Sequence, residues 1–525
     1  MTEVEIQEKY IPKWAVSKVH GNCFVFDITP EQLVDVCSEL FHVHQLPIKT
    51  VFASQGDIKS GEYYIHYVFG VPVENFYIIP RLLIIGTTEF PSLANSVYPA
   101  SLYEGGIREM FGLEPIGRPS EAQPVLLHEN WPAEIFPMRK DFMDIPLMNG
   151  HSKSMEYHFS KVDGEGIYEV PVGPVHAGII EPGHFRFSMA GERIVRLEAK
   201  LGWMHKGSEK MFEKLSPSDG VRLAEHIAGD SSFAHSTAFC QAVEGLGGTI
   251  VSDRAQYARV IFGELERLAG HSSDLGFILS DTGFNFGLAQ CGRLREQIMQ
   301  ACEKLTGHRF LRGVNIFGGV YVHLRKGEIE ELLQLLHGWK KEFEEIIKIA
   351  DDNSMVFNRL SGAGILAHQV AIDHCAVGVP ARASGVIVDS RIDFPYAAYG
   401  KLHHEVSVEY GGDVLARFNV RKREVLTSLA LINEALQAMP DGEPVSPREM
   451  TLRKNSYAVG ISEGWRGEIV YVVVTDENGN ISRVSLRDPS FLGWHLIPHA
   501  APGNVLLDFP LINKSFNLSY SGNDK

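Results

Sequence analysis

An α+β fold is what the sequence predicts: a small N-terminal α/β domain, a proline-rich arm, then a large, mainly helical bundle flanked by β-structure. Three observations carry this expectation. Segments 254–271 and 328–351 place apolar residues at i, i+3, i+4 and i+7, the period of a helix that buries one stripe. Segments 22–28, 63–71 and 467–475 are strand-length runs rich in β-branched and aromatic residues. Between the two regions, Pro115, Pro119, Pro124, Pro132, Pro137 and Pro146 interrupt a stretch with little period of either kind.

In chain order, Asn22 to Ile28 predicts a strand. Thr29 to Phe41 predicts a helix with Pro30 at its first position, where the missing N–H costs nothing. Tyr63 to Val71 and Phe76 to Ile85 are further strands joined by a polar turn. These elements fill a first domain, 1–114. Residues 115–165 read as a connecting arm lying over a neighbour rather than as a folded unit. The third region, 166–525, opens with β-like segments over Gly173 to Leu197 and is helical to about Ala438. It returns to strand at Gly467 to Thr475, which turns on Glu477-Asn-Gly-Asn480 into a second strand.

The 525 residues are 44% apolar, enough for more than one core, and the formal charge of −16 argues against a nucleic-acid-binding surface. Met1 to Lys9 carries acid where the basic n-region of a signal peptide belongs, so none is expected. The most apolar run, Phe76 to Gly86, is broken by Pro80 and Arg81 and is too short to span a bilayer. Cys23, Cys37, Cys240, Cys291, Cys302 and Cys375 form no C-x-x-C pair, which fits a reducing compartment and buried thiols. No zinc or iron–sulfur site is expected on this chain. Gly318-Gly-Val320 is no nucleotide loop, because no G-x-G-x-x-G follows a strand there, so NAD and FAD are not expected either.

Several motifs, in order, carry a family resemblance. Tyr103-Glu-Gly-Gly-Ile-Arg-Glu-Met-Phe-Gly112, Gly117-Arg-Pro119 and Met138-Arg-Lys-Asp-Phe142 resemble the small peripheral subunit beside the quinone-site subunit of respiratory complex I. Gly173-Pro-Val-His176, Leu201 to Lys210, Gly318 to Val320, Ala381 to Gly385, Pro395-Tyr396 and Asp508 to Asp524 resemble the quinone-site subunit itself. They also resemble its relatives, the large subunits of energy-converting, formate-hydrogenlyase-type nickel–iron hydrogenases. The resemblance implies a hydrogenase-large-subunit-like fold for 166–525, fused behind the small subunit.

The departures are as informative. The hydrogenase motifs R-x-C-G-x-C and D-P-C-x-x-C correspond here to Ala228-Gly-Asp-Ser231 and Asp488-Pro-Ser-Phe-Leu-Gly493, with Ala228, Ser231, Ser490 and Gly493 at the four ligand positions. A soft redox metal needs thiolates, so the resemblance implies a degenerate cradle without nickel or iron. The complex I quinone donors would fall at Gly229 and Ile180, whose side chains donate nothing, and a shift of one residue brings only Asp230. Ser231 and Ser490 lack the G-x-S-x-G elbow of a serine nucleophile.

Three residues are implied as a catalytic set. Glu181 matches the hydrogenase glutamate that passes protons; its bland reading is a carboxylate capping a turn before Pro182. His176 matches the first histidine of the family loop, and a loop histidine more often ties down its own backbone. Arg466 resembles the arginine beside the hydrogenase metal, with a structural ion pair as the alternative. His235 has the spacing of a histidine near the metal, or is a satisfied core residue. Asp413, Arg417, Arg421, Glu424 and Ser428 share one helical face, which either lines the central cavity or forms a surface ladder.

The expected function is that of a subunit in a complex-I-like or hydrogenase-related, membrane-associated oxidoreductase. It would pass electrons from an iron–sulfur small subunit to a quinone or other acceptor. The alternative is a non-redox scaffold and coupling subunit of the same kind of ion-translocating complex. Iron–sulfur clusters are expected on partner subunits and no cofactor on this chain. Membrane subunits would hold it at the cytoplasmic side of the cell membrane, and no nucleic acid is expected as a partner.

Overall fold

The computed structural model describes residues 1–118, 125–128, 131–142, 157–177, 180–446 and 451–525. The first unit is a five-stranded sheet in the order Lys18–His20, Cys23–Ile28, Phe76–Ile84, Tyr63–Val71, Ile48–Gln55. All neighbours are antiparallel except Cys23–Ile28 and Phe76–Ile84, which run parallel. Alternate side chains leave opposite faces of a strand. Phe24, Phe26, Ile65, Tyr67 and Ile78 pack on the Leu33–Ser38 and Ala100–Phe111 helices. Cys23, Val25, Phe52, Val68, Tyr77 and Ile79 on the other face pack on a second sheet. Burial on both faces is why these strands read as near-continuous apolar runs.

That second sheet is antiparallel, Tyr457–Gly464, Gly467–Thr475 and Ile481–Arg487. Tyr457, Val459, Ile461, Val470, Val472 and Val474 face the small sheet, while Ala458, Ile469, Tyr471 and Val473 face the Ser232–Gly247 helix. Contact with this helix is close: a Cβ on Gly460 would stand 1.9 Å from the Ala238 carbonyl oxygen. Behind it lies the bundle of Asp253–Asp281, Asn285–Thr306, Lys326–Asp351 and Val414–Ala438, whose shared core includes Leu265, Leu275, Ile298, Trp339, Phe343 and Val425. No helix among the described residues is long and apolar enough to cross a membrane.

Several expectations need adjustment. The helix expected from Thr29 begins at Leu33, because the Gln32 N–H closes a turn on the Thr29 carbonyl and Pro30 sits in that turn. A capped helix, Glu3–Tyr10, and the strand Tyr457–Gly464 add to the expected elements. Of the arm at 115–165, residues 119–124, 129–130 and 143–156 lie outside the described residues. Its described parts pack on this chain: Leu126, Leu127 and Met138 are buried in the small unit's core, and Glu109 accepts the N–H groups of Leu126 and Leu127 at 2.9 and 3.0 Å.

Glu104 is fully buried beneath the small sheet, bonded by the Ser92 hydroxyl (2.5 Å) and the Leu93 N–H (2.8 Å). Burial pushes its carboxyl up from 4.5 to about 7. The folded state therefore keeps a proton that the unfolded chain loses above pH 4.5, so this contribution falls as pH rises from 4.5 through 7. Comparing urea unfolding at pH 4.5 and pH 8, Glu104→Gln should gain on the wild type by an amount of order 3 kcal/mol. An equal pH response in the two proteins would refute this.

Candidate functional site

The four positions of the degenerate cradle lie on two segments that the second sheet and the Ser232–Gly247 helix bring together. Ala228 and Ser231 occupy the turn leading into that helix. Ser490 and Gly493 belong to the short Pro489–Gly493 helix, which directly follows the last strand and is capped by Asp488 onto the Ser490 N–H at 2.7 Å. His235, one turn into its helix, joins the segments: Nε2 meets Asp488 Oδ2 and Nδ1 meets the Tyr471 hydroxyl, both at 3.0 Å, with no exposure. Burial opposes the charge on Asp488, yet the His235 bond and then the Ser490 contact hold its carboxyl below the ordinary range. His235 is thus the satisfied core residue.

Arg466 sits in the two-residue turn between the paired glycines Gly464 and Gly467. Its guanidinium takes Asp230 bidentately at 2.6 and 2.7 Å, the Asn517 carbonyl at 2.6 Å and Ser231 Oγ at 3.3 Å. It stacks 3.9 Å over Trp465, whose indole N–H bonds the Asp230 carbonyl at 3.0 Å. Asp230 itself stands on the exposed rim, whereas Arg466 is buried. Loss of water on the inner side of Asp230 and burial of Arg466 work against the two charges, and the pair overrides this, lowering the Asp230 carboxyl and raising the Arg466 guanidinium. Arg466 thus forms an ion pair with Asp230.

Residues 517–525 close the cradle. A Cβ on Gly493 would lie 2.5 Å from Leu518 Cδ2, and Ser490 Oγ accepts the Ser519 N–H at 2.9 Å. Glu181 accepts the Ser521 N–H at 2.9 Å, and Asp524 accepts that of Met204 at 2.8 Å. The carboxylate of Glu181 therefore caps this closing segment rather than a turn before Pro182. His176 remains in its own hairpin, bonded to the Gly183 carbonyl at 2.7 Å. So Glu181, Arg466, Ser490 and Gly493 converge on one segment, and His176 does not join them.

The stripe on the Val414–Ala438 helix is no surface ladder, since Arg417, Arg421, Glu424 and Ser428 are buried. Arg421, Glu424 and Ser428 are buried against Glu264, Arg267, His271 and Asp274, which recur on the facing side of Asp253–Asp281. Ser428 bonds Glu264 (2.6 Å), Glu424 bonds His271 (2.7 Å), and Arg421 bonds Asp274 (2.7 Å). Arg417 turns to the carbonyls of Gly412 and Gly364 and to Ser515, while Asp413 caps the helix. Spacing identifies the shared face but carries no information about a partner helix so far away in sequence. Asp488 was also missed, although Asp-Pro ahead of an apolar pair is a helix-start signal.

Comparison with known proteins follows the same division. The chain matches the family model of the respiratory-chain NADH dehydrogenase 30 Kd subunit over residues 26–145. It matches that of the 49 Kd subunit over 281–458 and 448–525. It is 32% identical to formate hydrogenlyase subunit 5 of Escherichia coli (strain K12), covering 94% of this chain and 87% of that protein. Identity to an NADH-quinone oxidoreductase subunit of Phocaeicola vulgatus is 30%, over 75% of this chain and 79% of that one. Among solved structures, a chain of the membrane-bound sulfane sulfur reductase, an archaeal respiratory membrane complex, shares the fold. The TM-score is 0.63 at 24% identity, covering 69% of this chain and 99% of that one.

Proposed function

Since the chain belongs to the family of the respiratory-chain NADH dehydrogenase 30 Kd and 49 Kd subunits, fused in one polypeptide, we propose that it is the electron-output subunit of a membrane-associated oxidoreductase complex. It takes electrons from an iron–sulfur small subunit and delivers them to a quinone or other acceptor at the cradle rim. Membrane subunits hold it at the cytoplasmic face of the membrane.

One observation carries this reading: a buried guanidinium, Arg466, stands at the cradle held by a carboxylate, Asp230, that is open to solvent. Ala228 and Gly493 supply no donor, and the space beside Gly493 belongs to Leu518. Ser231 and Ser490 offer hard oxygens already engaged by Arg466 and the Ser519 N–H. This set does not fit a nickel–iron centre, so the proposal routes no step through one. The fixed charge of Arg466 remains at the rim. Asp230 is the partner that can leave it, because its carboxylate is hydrated when released. An acceptor carbonyl displacing Asp230 would find a charge-assisted donor that Gly229 and Ile180 cannot provide.

The closure by Leu518 and Ser519 favours the second reading, a coupling subunit that binds no acceptor. The experiment is to purify the complex from its native membranes through a tag on this chain. Iron and acid-labile sulfide should copurify without stoichiometric nickel, and a photoreactive quinone analogue should label the peptide containing 228–231. Iron–sulfur and membrane partners without quinone labelling would leave the coupling role. Stoichiometric nickel would overturn both readings.

A further inference from the structure

Lys49 is a cation in an unexpected place. It lies on Ile48–Gln55, the edge strand of the small sheet, and is 5% exposed. Its ammonium reaches Glu468 Oε2 at 2.6 Å and lies 4.0 Å from the Phe394 ring centroid. Glu468, equally buried, also receives Arg487 at 2.5 Å and the Ser390 hydroxyl at 2.8 Å. Arg487 directly precedes Asp488, the residue that joins His235 and caps the Pro489–Gly493 helix. Bonded groups thus run without interruption from the small unit to the cradle.

Docking the two sheets does not need these charges. Six apolar residues on each side already form the interface, and a buried ion pair gives no more stability than well-packed apolar side chains of similar size. What the charged chain adds is direction: each bond ties one side chain to a particular atom of the next. We propose that Lys49 is a positioning residue for the cradle, fixing Glu468, which fixes Arg487 and so the backbone from which Asp488 reaches His235. The cradle is then complete only when the small unit is docked. This goes beyond the proposed function and rests on it only for the premise that the cradle is the working site.

Amide hydrogen exchange on the purified full chain tests the proposal without needing an electron donor or acceptor. In Lys49→Met, peptides covering 228–236 and 486–494 should exchange roughly tenfold faster through local opening, while peptides covering 63–84 stay unchanged. Lys49→Arg, which keeps the charge, should restore the wild-type rates. Lys49→Gln is read in the same way if the methionine variant does not fold. Wild-type exchange at the cradle in a folded neutral variant overturns the proposal. So does failure of both neutral variants to fold, which would make Lys49 a docking residue. A complex that binds no quinone would leave these exchange results standing, so the two proposals fail separately.

Discussion

Glu424→Ala should lower the unfolding free energy by about 3–5 kcal/mol, the cost of removing one partner from a buried ion pair. The Glu424 carboxylate is the hub between the two facing helices. Oε1 takes Arg382 at 2.8 Å, and Oε2 takes His271 at 2.7 Å and Arg267 at 3.3 Å. Burial opposes its charge, but Arg382, then His271 and Arg267, hold the carboxyl well below the ordinary range. Alanine would leave Arg382 to Glu463 and Arg267 to Glu264. Glu424→Gln keeps the shape and should cost less.

The pH dependence follows from the same cause. Glu264, in this network, is held down to about 2. Carboxyls depressed in the folded state contribute fully above about pH 4.5 and lose that contribution as pH falls toward 2. The gap between wild type and Glu424→Ala in urea titrations should therefore be constant from pH 6 to 8 and shrink in acid. Removing Glu344, whose pair with Lys340 is half exposed, should change stability by no more than about 0.5 kcal/mol. A Glu424→Ala loss as small as that of the surface control would show the network to be dispensable.

The second large effect is on turnover. Glu181→Gln in the assembled complex should slow acceptor reduction by roughly tenfold or more, the usual weight of a positioned proton carrier. Glutamine has no carboxyl to exchange protons but retains an oxygen for the Ser521 N–H, so assembly on native gels should be intact. His176→Ala should do less, since that imidazole is committed to the Gly183 carbonyl. Undiminished turnover in an assembled Glu181→Gln complex would remove the relay and leave Glu181 as a cap.

The cradle segments are legible through the family resemblance, because each motif is short: Ala228 and Ser231 stand in one, Ser490 and Gly493 in the other, and His235 just after the first. Sequence reasoning stopped where the information is not local. The helix runs on from the expected 254–271 to Asp281, past the point where Ser272, Ser273 and Asp274 break the apolar period. Asp274 and His271 are buried against Arg421 and Glu424, 147 and 153 residues away, a pairing that a hydrophobic pattern cannot encode. Lys49 is the sharper case. Nothing beside Lys49 in the sequence marks an ammonium for burial, and its partner Glu468 stands 419 residues later.

The sandwiching of the second sheet between the small sheet and the Ser232–Gly247 helix also bears on synthesis. When Ile84 closes the small sheet, the strand that will cover its outer face does not begin until Tyr457. At ordinary translation rates that interval is about 20–75 s. Throughout it, Val25, Phe52, Val68, Tyr77 and Ile79 remain without their partners from the second sheet. The nascent chain thus presents a sticky surface for most of its time on the ribosome. The sheet that covers this face is also the one that leads into Asp488, so the face is covered only as the cradle's second segment is being made.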